Sequence, residues 1–160
     1  MFQPDQDGVL ARVQASSIRR GFACLVLYGL GALLFYVAIA RPPSFVWLVF
    51  LLALGGAVLA VAEAMRRATR RELILTQQSL SDDQGRVLAL MSEVETVDRG
   101  AFAMKPSNGF TLVTKTRGAR AWQPGLWWRS GRRIGVGGVT ASGPAKFMAE
   151  RIAMLLATRD

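Results

Sequence analysis

Few residue types that carry out chemistry occur in this chain. It contains no histidine and one cysteine, Cys24, so it lacks the usual general base and the usual ligands of zinc, haem and iron–sulfur sites. The remaining candidates are two carboxylate pairs, Asp82 with Asp83 in a predicted turn and Glu93 with Glu95 along a predicted strand edge. Without a histidine or a convergent third ligand, neither pair predicts acid–base catalysis or a metal site. The sequence therefore predicts a non-enzymatic protein without a cofactor.

Glycines cluster near the end of the chain, at positions 131, 135, 137 and 138, and such a cluster can mark a nucleotide site. The order is wrong for a dinucleotide site, which needs a parallel βαβ unit, and no G-K-[ST] sequence marks a phosphate loop. Gly137 and Gly138 instead predict a sharp bend between the last strand and a helix.

Basic and aromatic residues make a stronger case for binding. The segment 66–160 carries 16 Lys or Arg and 8 Asp or Glu, and so supplies +8 of the net charge of +9. A cation near an anionic membrane leaflet adds about 1 kcal/mol of attraction, and exposed tryptophan is typical of membrane interfaces and protein contacts. The residues predicted to bind a partner or lipid are Lys105, Lys115, Arg117, Arg120, Trp122, Trp127, Trp128, Arg129, Arg132 and Arg133.

These predictions have structural alternatives. The cations could instead form a solvated face spread around a small β domain. Trp127 and Trp128 are neighbours on a predicted strand, so one should point into the core and the other outward. Alternatively, both could lie partly buried under loops.

Two apolar segments precede the basic part of the chain. Residues 21–40 and 42–62 contain no charge, and each is long enough to cross the ~30 Å hydrocarbon core of a bilayer as a helix. The short link between them contains Pro42 and Pro43, which favour a tight reversal. The sequence therefore predicts a transmembrane hairpin over 21–64. A cleaved signal peptide is a weaker alternative, because the first apolar run exceeds the usual core of about 7–15 residues and a second span follows.

Arginines flank the hairpin on both outer sides, whereas Arg41 alone lies in the turn. The positive-inside rule then places both termini in the cytoplasm. The residues predicted to set this topology or to contact headgroups are Arg19, Arg20, Arg66, Arg67, Arg70 and Arg71. Small residues at Ala53 and Ala57, and at Gly56, Ala60 and Ala64, form faces that could pack on Gly29 and Gly31 of the first helix or on another membrane protein.

The segments on either side of the hairpin differ in pattern. Residues 1–20 are predicted as a cytoplasmic segment in which 8–20 forms a short amphipathic helix or extends the first span. Residues 66–160 alternate and are punctuated by turn signals, including a basic turn at 117–120 and a turn at 130–131. They predict antiparallel strands closed by one amphipathic helix capped by Ser142. The fold class is therefore a membrane α-helical hairpin followed by an α+β domain, a small antiparallel β-barrel or sandwich capped by one C-terminal helix.

This architecture resembles the bacterial pleckstrin-homology-like (PH-like) membrane proteins. The resemblance rests on LILTQQSLSDDQGRVLAL (Leu73–Leu90) and on GRRIGVGGVTASGPAKFMAERI (Gly131–Ile152), and it covers about residues 20–158. It implies a strongly bent β sandwich with the helix plugging one end, membrane association, complex assembly and no catalysis. The first hairpin loop carries Asp82 and Asp83 where lipid-binding members carry basic residues, which argues against inositol-lipid recognition at that loop.

Two functions from different classes follow. The first is an integral membrane protein whose PH-like domain binds another integral membrane protein, or a second copy of the chain, as an accessory subunit or assembly factor. The second is a membrane-surface module that binds anionic lipid. Nucleic-acid binding ranks last, because no recognisable motif accompanies the charge.

Overall fold

Two long apolar helices cover the uncharged segments in the computed structural model, which describes residues 8–100 and 106–158. They are α1 (Ser17–Ala40) and α2 (Phe45–Ala68), each of 24 residues and joined by a short turn. Each rises about 36 Å, and by length and composition both can cross a membrane. In each apolar window 11% of the residues are buried, so most of the apolar side chains point away from the protein, unlike those of a core helix.

Two glycines allow α1 and α2 to pack closely. A Cβ on Gly31 would overlap the Leu59 side chain, and a Cβ on Gly55 would lie 3.0 Å from Phe35. Gly29 and Gly56 face open space instead, since no atom of the described residues lies within 4 Å of a Cβ placed there. Of the small residues considered for hairpin packing, Gly31 therefore takes part. Those on α2, namely Ala53, Gly56, Ala57, Ala60 and Ala64, remain exposed.

The described strands form two antiparallel sheets. The first has four strands in the order β1 (Val9–Gln14), β2 (Glu72–Thr76), β3 (Ser79–Asp82) and β4 (Val87–Leu90). The second has three, in the order β5 (Val94–Asp98), β6 (Phe110–Gln123) and β7 (Trp127–Val136), and a short 3₁₀ turn at Met91–Glu93 links the two sheets.

The amphipathic helix predicted for residues 8–20 is wrong over its first half. β1 pairs with β2, with Ala11 opposite Leu75 and Val13 opposite Leu73, and α1 begins only at Ser17. Ala11 and Val13 are buried while Arg12 between them is exposed, which is the two-residue period of a strand with one covered face. The hairpin is thus inserted between the first two strands of a sheet, and residues 9–14 belong with the β domain.

One helix and the inner faces of the strands form the core. α3 (Ser142–Ala157) buries Ala145, Met148 and Ile152, which recur at helical spacing as predicted. Ala141 rather than Ser142 occupies the N-cap, a shift of one residue. The largest side chains of the core come from both sheets and α3 and include Leu73, Leu75, Leu80, Phe110, Leu112, Leu126, Ile134, Met148 and Ile152.

The two longest strands differ from the predicted pattern. β6 runs through the predicted basic turn at 117–120, and β7 runs through the predicted turn at 130–131. The pairing of β6 with β7 shifts register on either side of Gly118, so both strands continue through the predicted turns. Gly131 adopts a positive φ of 60° without ending β7. Their actual connection is the turn at Pro124–Leu126, where Gly125 has φ 78°. The described basic residues among the binding candidates therefore all lie on the β6–β7 pair.

Candidate binding surface at the base of the hairpin

The turn between β6 and β7 contacts the base of the hairpin, meaning the end of α2 and the start of α1. A Cβ on Gly125 would lie 3.1 Å from both Met65 and Thr69 at the end of α2. The Gly125 carbonyl accepts a hydrogen bond from the Val139 amide (3.0 Å), and the Val139 carbonyl accepts one from Ser16 (2.8 Å). These contacts place the adjoining ends of β6 and β7 next to the ends of both helices.

The arginines predicted to set topology lie at this base, and most are bonded to the protein. Arg19 donates to the Thr140 carbonyl (3.2 Å) and Arg20 to the Thr69 carbonyl (3.4 Å). Arg71 lies 3.7 Å from the buried carboxylate of Asp82. Arg70 is exposed. Arg19 and Arg20 therefore fasten α1 to loops next to the β domain, a role that sequence reasoning did not identify.

A second group of charges surrounds Glu63 in the last turns of α2. Arg66 and Arg67 each donate to the Glu63 carboxylate at 2.7 Å, and the Tyr28 hydroxyl of α1 donates to it at 3.0 Å. The acidic residue closest to the end of the apolar span is thus bonded to two of the predicted topology arginines. This network joins α1 to α2 and neutralises the Glu63 carboxylate.

The three candidate tryptophans occupy different environments. Trp127 is part of the core with 3% of its surface exposed, and the Arg86 guanidinium lies 5.3 Å from its ring. Trp128 is half-buried against Gly135, where a Cβ would overlap its indole. Trp122 is 65% exposed. Trp127 is therefore the core member of the two neighbours, whereas Trp128 is half-buried instead of exposed as predicted. Trp127 presents little surface for binding.

Two of the candidate cations hold the domain together. Arg129 donates from Nη1 to the Leu88 carbonyl (2.8 Å), which joins β7 of one sheet to β4 of the other. Arg132 donates to the Thr114 carbonyl (2.7 Å) and to the Glu95 carboxylate (2.6 Å). A guanidinium that is bonded within the fold has less freedom to meet a ligand, so both residues have a structural role.

Two of the four carboxylates considered for catalysis, Asp82 and Glu95, also have structural partners. Asp82 is buried, and its Oδ1 accepts hydrogen bonds from the backbone amides of Gln84 (3.1 Å) and Arg86 (2.8 Å). These bonds shape the turn between β3 and β4. No group of three or more Asp, Glu or Cys side chains that could hold a metal ion occurs in the described ranges.

The remaining candidate cations are exposed on the β6–β7 pair. They are Lys115, Arg117, Arg120 and Arg133, and no side-chain hydrogen bond or ion pair connects them to another described residue. Lys105 lies outside the described residues. Together with Trp122, these four cations form what we call the basic–aromatic surface.

Trp122 also separates two concave regions near the hairpin base. On one side, a groove of about 450 Å³ runs between β6 and the end of α2, with Ala60 and Ala64 in its lining. On the other side, Trp122 and its cross-strand partner Trp128 line a cleft of about 440 Å³ together with Arg120, Ala121, Arg129 and Ser130. We call this second region the tryptophan cleft. Sequence reasoning missed it, although the two tryptophans flank a Pro-Gly turn at a spacing that allows them to pair.

Cations and indole rings at the end of an apolar span can bind anionic or amphipathic groups. Comparisons with protein-family models, with curated proteins and with solved structures found no match to this chain.

Proposed function

We propose that this chain is a non-enzymatic integral protein of the bacterial inner membrane that binds another integral membrane protein, as an accessory subunit or assembly factor. The observation that carries the proposal is the exposed small-residue face of α2, formed by Gly56, Ala60 and Ala64. Hairpin packing uses Gly31 and Gly55 instead. Small residues allow helix backbones to approach closely in a membrane, so this face suits a transmembrane helix of a partner.

The surroundings of this face add support. At its end nearest the β domain, Ala60 and Ala64 line the groove beside the exposed indole of Trp122. Tryptophan is enriched among the residues that contribute most to protein contacts and at membrane interfaces. A partner helix on the α2 face would therefore meet an aromatic anchor where it leaves the bilayer.

We further propose that the β domain is PH-like and cytoplasmic. The PH-like assignment is supported by two antiparallel sheets of four and three strands followed by one helix. The cytoplasmic side is supported by the arginines that flank the hairpin. The pairing of β1 with β2 also requires both ends of the hairpin to lie on one side of any membrane that it spans.

A matched pair of substitutions tests the partner proposal. Gly56→Leu and Gly29→Leu add the same side chain at helical glycines whose Cβ positions are open, so both variants should retain the hairpin. After gentle detergent extraction, size-exclusion chromatography with mass spectrometry should show a complex for the wild type and for Gly29→Leu. Gly56→Leu should lose it, because overpacking of a close contact costs about 1–3 kcal/mol.

A lone 17.4 kDa species from wild-type membranes would contradict the proposal. Retention of the complex by Gly56→Leu would show that the α2 face is not the contact. A complex that contains only this chain would replace the heterologous partner by a second copy.

A second function, binding of anionic lipid, is favoured by the basic–aromatic surface. Its four exposed cations share a strand pair with Trp122, and that strand pair contacts the base of the hairpin. In a bilayer these groups would lie near lipid headgroups, where each cation adds about 1 kcal/mol of attraction. A test needs the full chain, because a fragment that starts at residue 66 lacks β1.

A further inference from the structure

The tryptophan cleft lies where the second proposed function needs a binding site. Its wall Trp122 also lines the groove beside Ala60 and Ala64, in the last turns of α2. The cleft is therefore at the level at which the apolar span ends. Lipid headgroups occupy this level in a membrane, and tryptophan is enriched there.

Two guanidinium groups line the cleft without a carboxylate. Arg120 is exposed and has no hydrogen bond or ion pair with any residue in the ranges 8–100 and 106–158. Arg129 is held in place by its bond to the Leu88 carbonyl, and a Cβ on Gly118 would overlap its guanidinium. One cation of the cleft is thus free to move toward a ligand, whereas the other is already positioned.

The bonding of Arg129 is also incomplete. Its Nε is buried and has no hydrogen-bond partner within the described part of the chain. Because this donor is buried, Arg129 acts on a ligand in the cleft through its fixed positive charge. The exposed guanidinium of Arg120 suits phosphate oxygens in particular because it presents several donors in one plane.

We propose that the tryptophan cleft binds the phosphate of an anionic phospholipid, an inference that rests on the lipid binding proposed above and names its site. Arg120 contacts the phosphate, Arg129 adds fixed positive charge beside it, and Trp122 lies among the neighbouring headgroups. The site is separate from the turn between β3 and β4, where Asp82 and Asp83 disfavour an anion. Lipid is favoured over an acidic protein segment because the cleft shares its Trp122 wall with the groove along the apolar span.

Tryptophan fluorescence of the full chain in phosphatidylcholine nanodiscs tests this site. Brominated phosphatidylglycerol and brominated phosphatidylcholine are compared as quenchers at equal mole fraction, in a Trp47→Phe background because Trp47 lies within α2. We expect stronger quenching by the phosphatidylglycerol. Trp122→Phe should abolish the difference if Trp122 is the reporter.

Arg120→Gln and Lys146→Gln form the matched comparison, since each removes one exposed cation of the β domain and Lys146, on α3, does not line the cleft. Arg120→Gln should reduce the relative affinity for phosphatidylglycerol about fivefold, which corresponds to about 1 kcal/mol. Lys146→Gln should leave it nearly unchanged.

The outcomes separate the site from the function. Equal quenching by the two lipids in the Trp47→Phe protein would overturn both the lipid function and its site. A preference for phosphatidylglycerol that Arg120→Gln and Lys146→Gln reduce equally, or that Arg120→Gln leaves intact, would overturn the cleft alone. Loss of a co-purifying protein in Arg120→Gln, with lipid preference unchanged, would assign the cleft to a protein partner and overturn the proposal.

Discussion

The β6–β7 strand pair contains two regions that share one ladder but differ in surroundings. In the inner region, Phe110, Leu112 and Ile134 are buried under the other sheet and α3. In the outer region, comprising residues 115–122 and 128–133, the side chains of Lys115 and Arg117 are exposed. Strand pairing itself therefore does not determine a residue's role. What covers the strand determines whether a side chain stabilises the fold or remains available for binding.

The largest effect should separate the two regions directly. Phe110 is 1% exposed and Trp122 is 65% exposed. Phe110→Ala should lower the free energy of unfolding by about 3–5 kcal/mol, because it removes a large buried side chain and leaves a cavity. Trp122→Ala should change it by less than about 0.5 kcal/mol. Urea-dependent pulse proteolysis of the full chain in neutral detergent measures both, and equal losses would contradict the division.

A smaller effect should show that Arg129, in the outer region, stabilises the fold. Arg129→Gln removes the bond to the Leu88 carbonyl that joins the two sheets, and should cost about 1–3 kcal/mol of stability. Arg133→Gln is the control, since Arg133 is an exposed neighbour on the same strand. The same proteolysis assay should find the control within about 0.5 kcal/mol of the wild type. If Arg129→Gln left the free energy of unfolding equally unchanged, the cross-sheet bond would not contribute to stability.

The smallest effect concerns the ion pair between Arg132 and Glu95, whose closest atoms are 2.6 Å apart. Both side chains are more than 40% exposed, so solvent and salt screen their attraction. A double-mutant cycle with Arg132→Gln and Glu95→Gln should give a coupling energy of about 0.2–1 kcal/mol that falls as salt is added. A larger, salt-independent coupling would indicate that this part of the outer region behaves like the core.

Sequence reasoning was most accurate for the hairpin and least accurate for strands that depend on distant partners. Two uncharged runs predicted α1 and α2, because bilayer thickness sets a length that few other structures need. Residues 9–14 were misread because a segment of six residues has too few periods to separate strand from helix, and its partner β2 lies beyond the whole hairpin. The prediction of a basic turn at 117–120 is wrong, because β7 pairs with β6 on both sides of Gly118.

The candidate site shows the same division. The basic and aromatic residues were visible in the sequence, and so was the requirement that Trp127 and Trp128 point in opposite directions. The sequence did not show which of these residues are buried, which are bonded within the fold and which are exposed. Only the folded chain distinguishes Arg129 and Arg132, which bond to backbone carbonyls, from Arg120, which bonds to no carbonyl of the residues that the structure describes.

By itself, the sequence determined two membrane-length apolar helices, an excess of positive charge in the region that follows them and the absence of histidine. These are properties of composition and local period, and they need no knowledge of distant neighbours. The tertiary structure decided that the hairpin interrupts a sheet, that Gly31 and Gly55 pack the hairpin while Gly56 stays exposed, and that Trp122 and Trp128 line one cleft. Each of these depends on contacts between residues far apart in the chain, which pairing and packing create only when the whole domain folds.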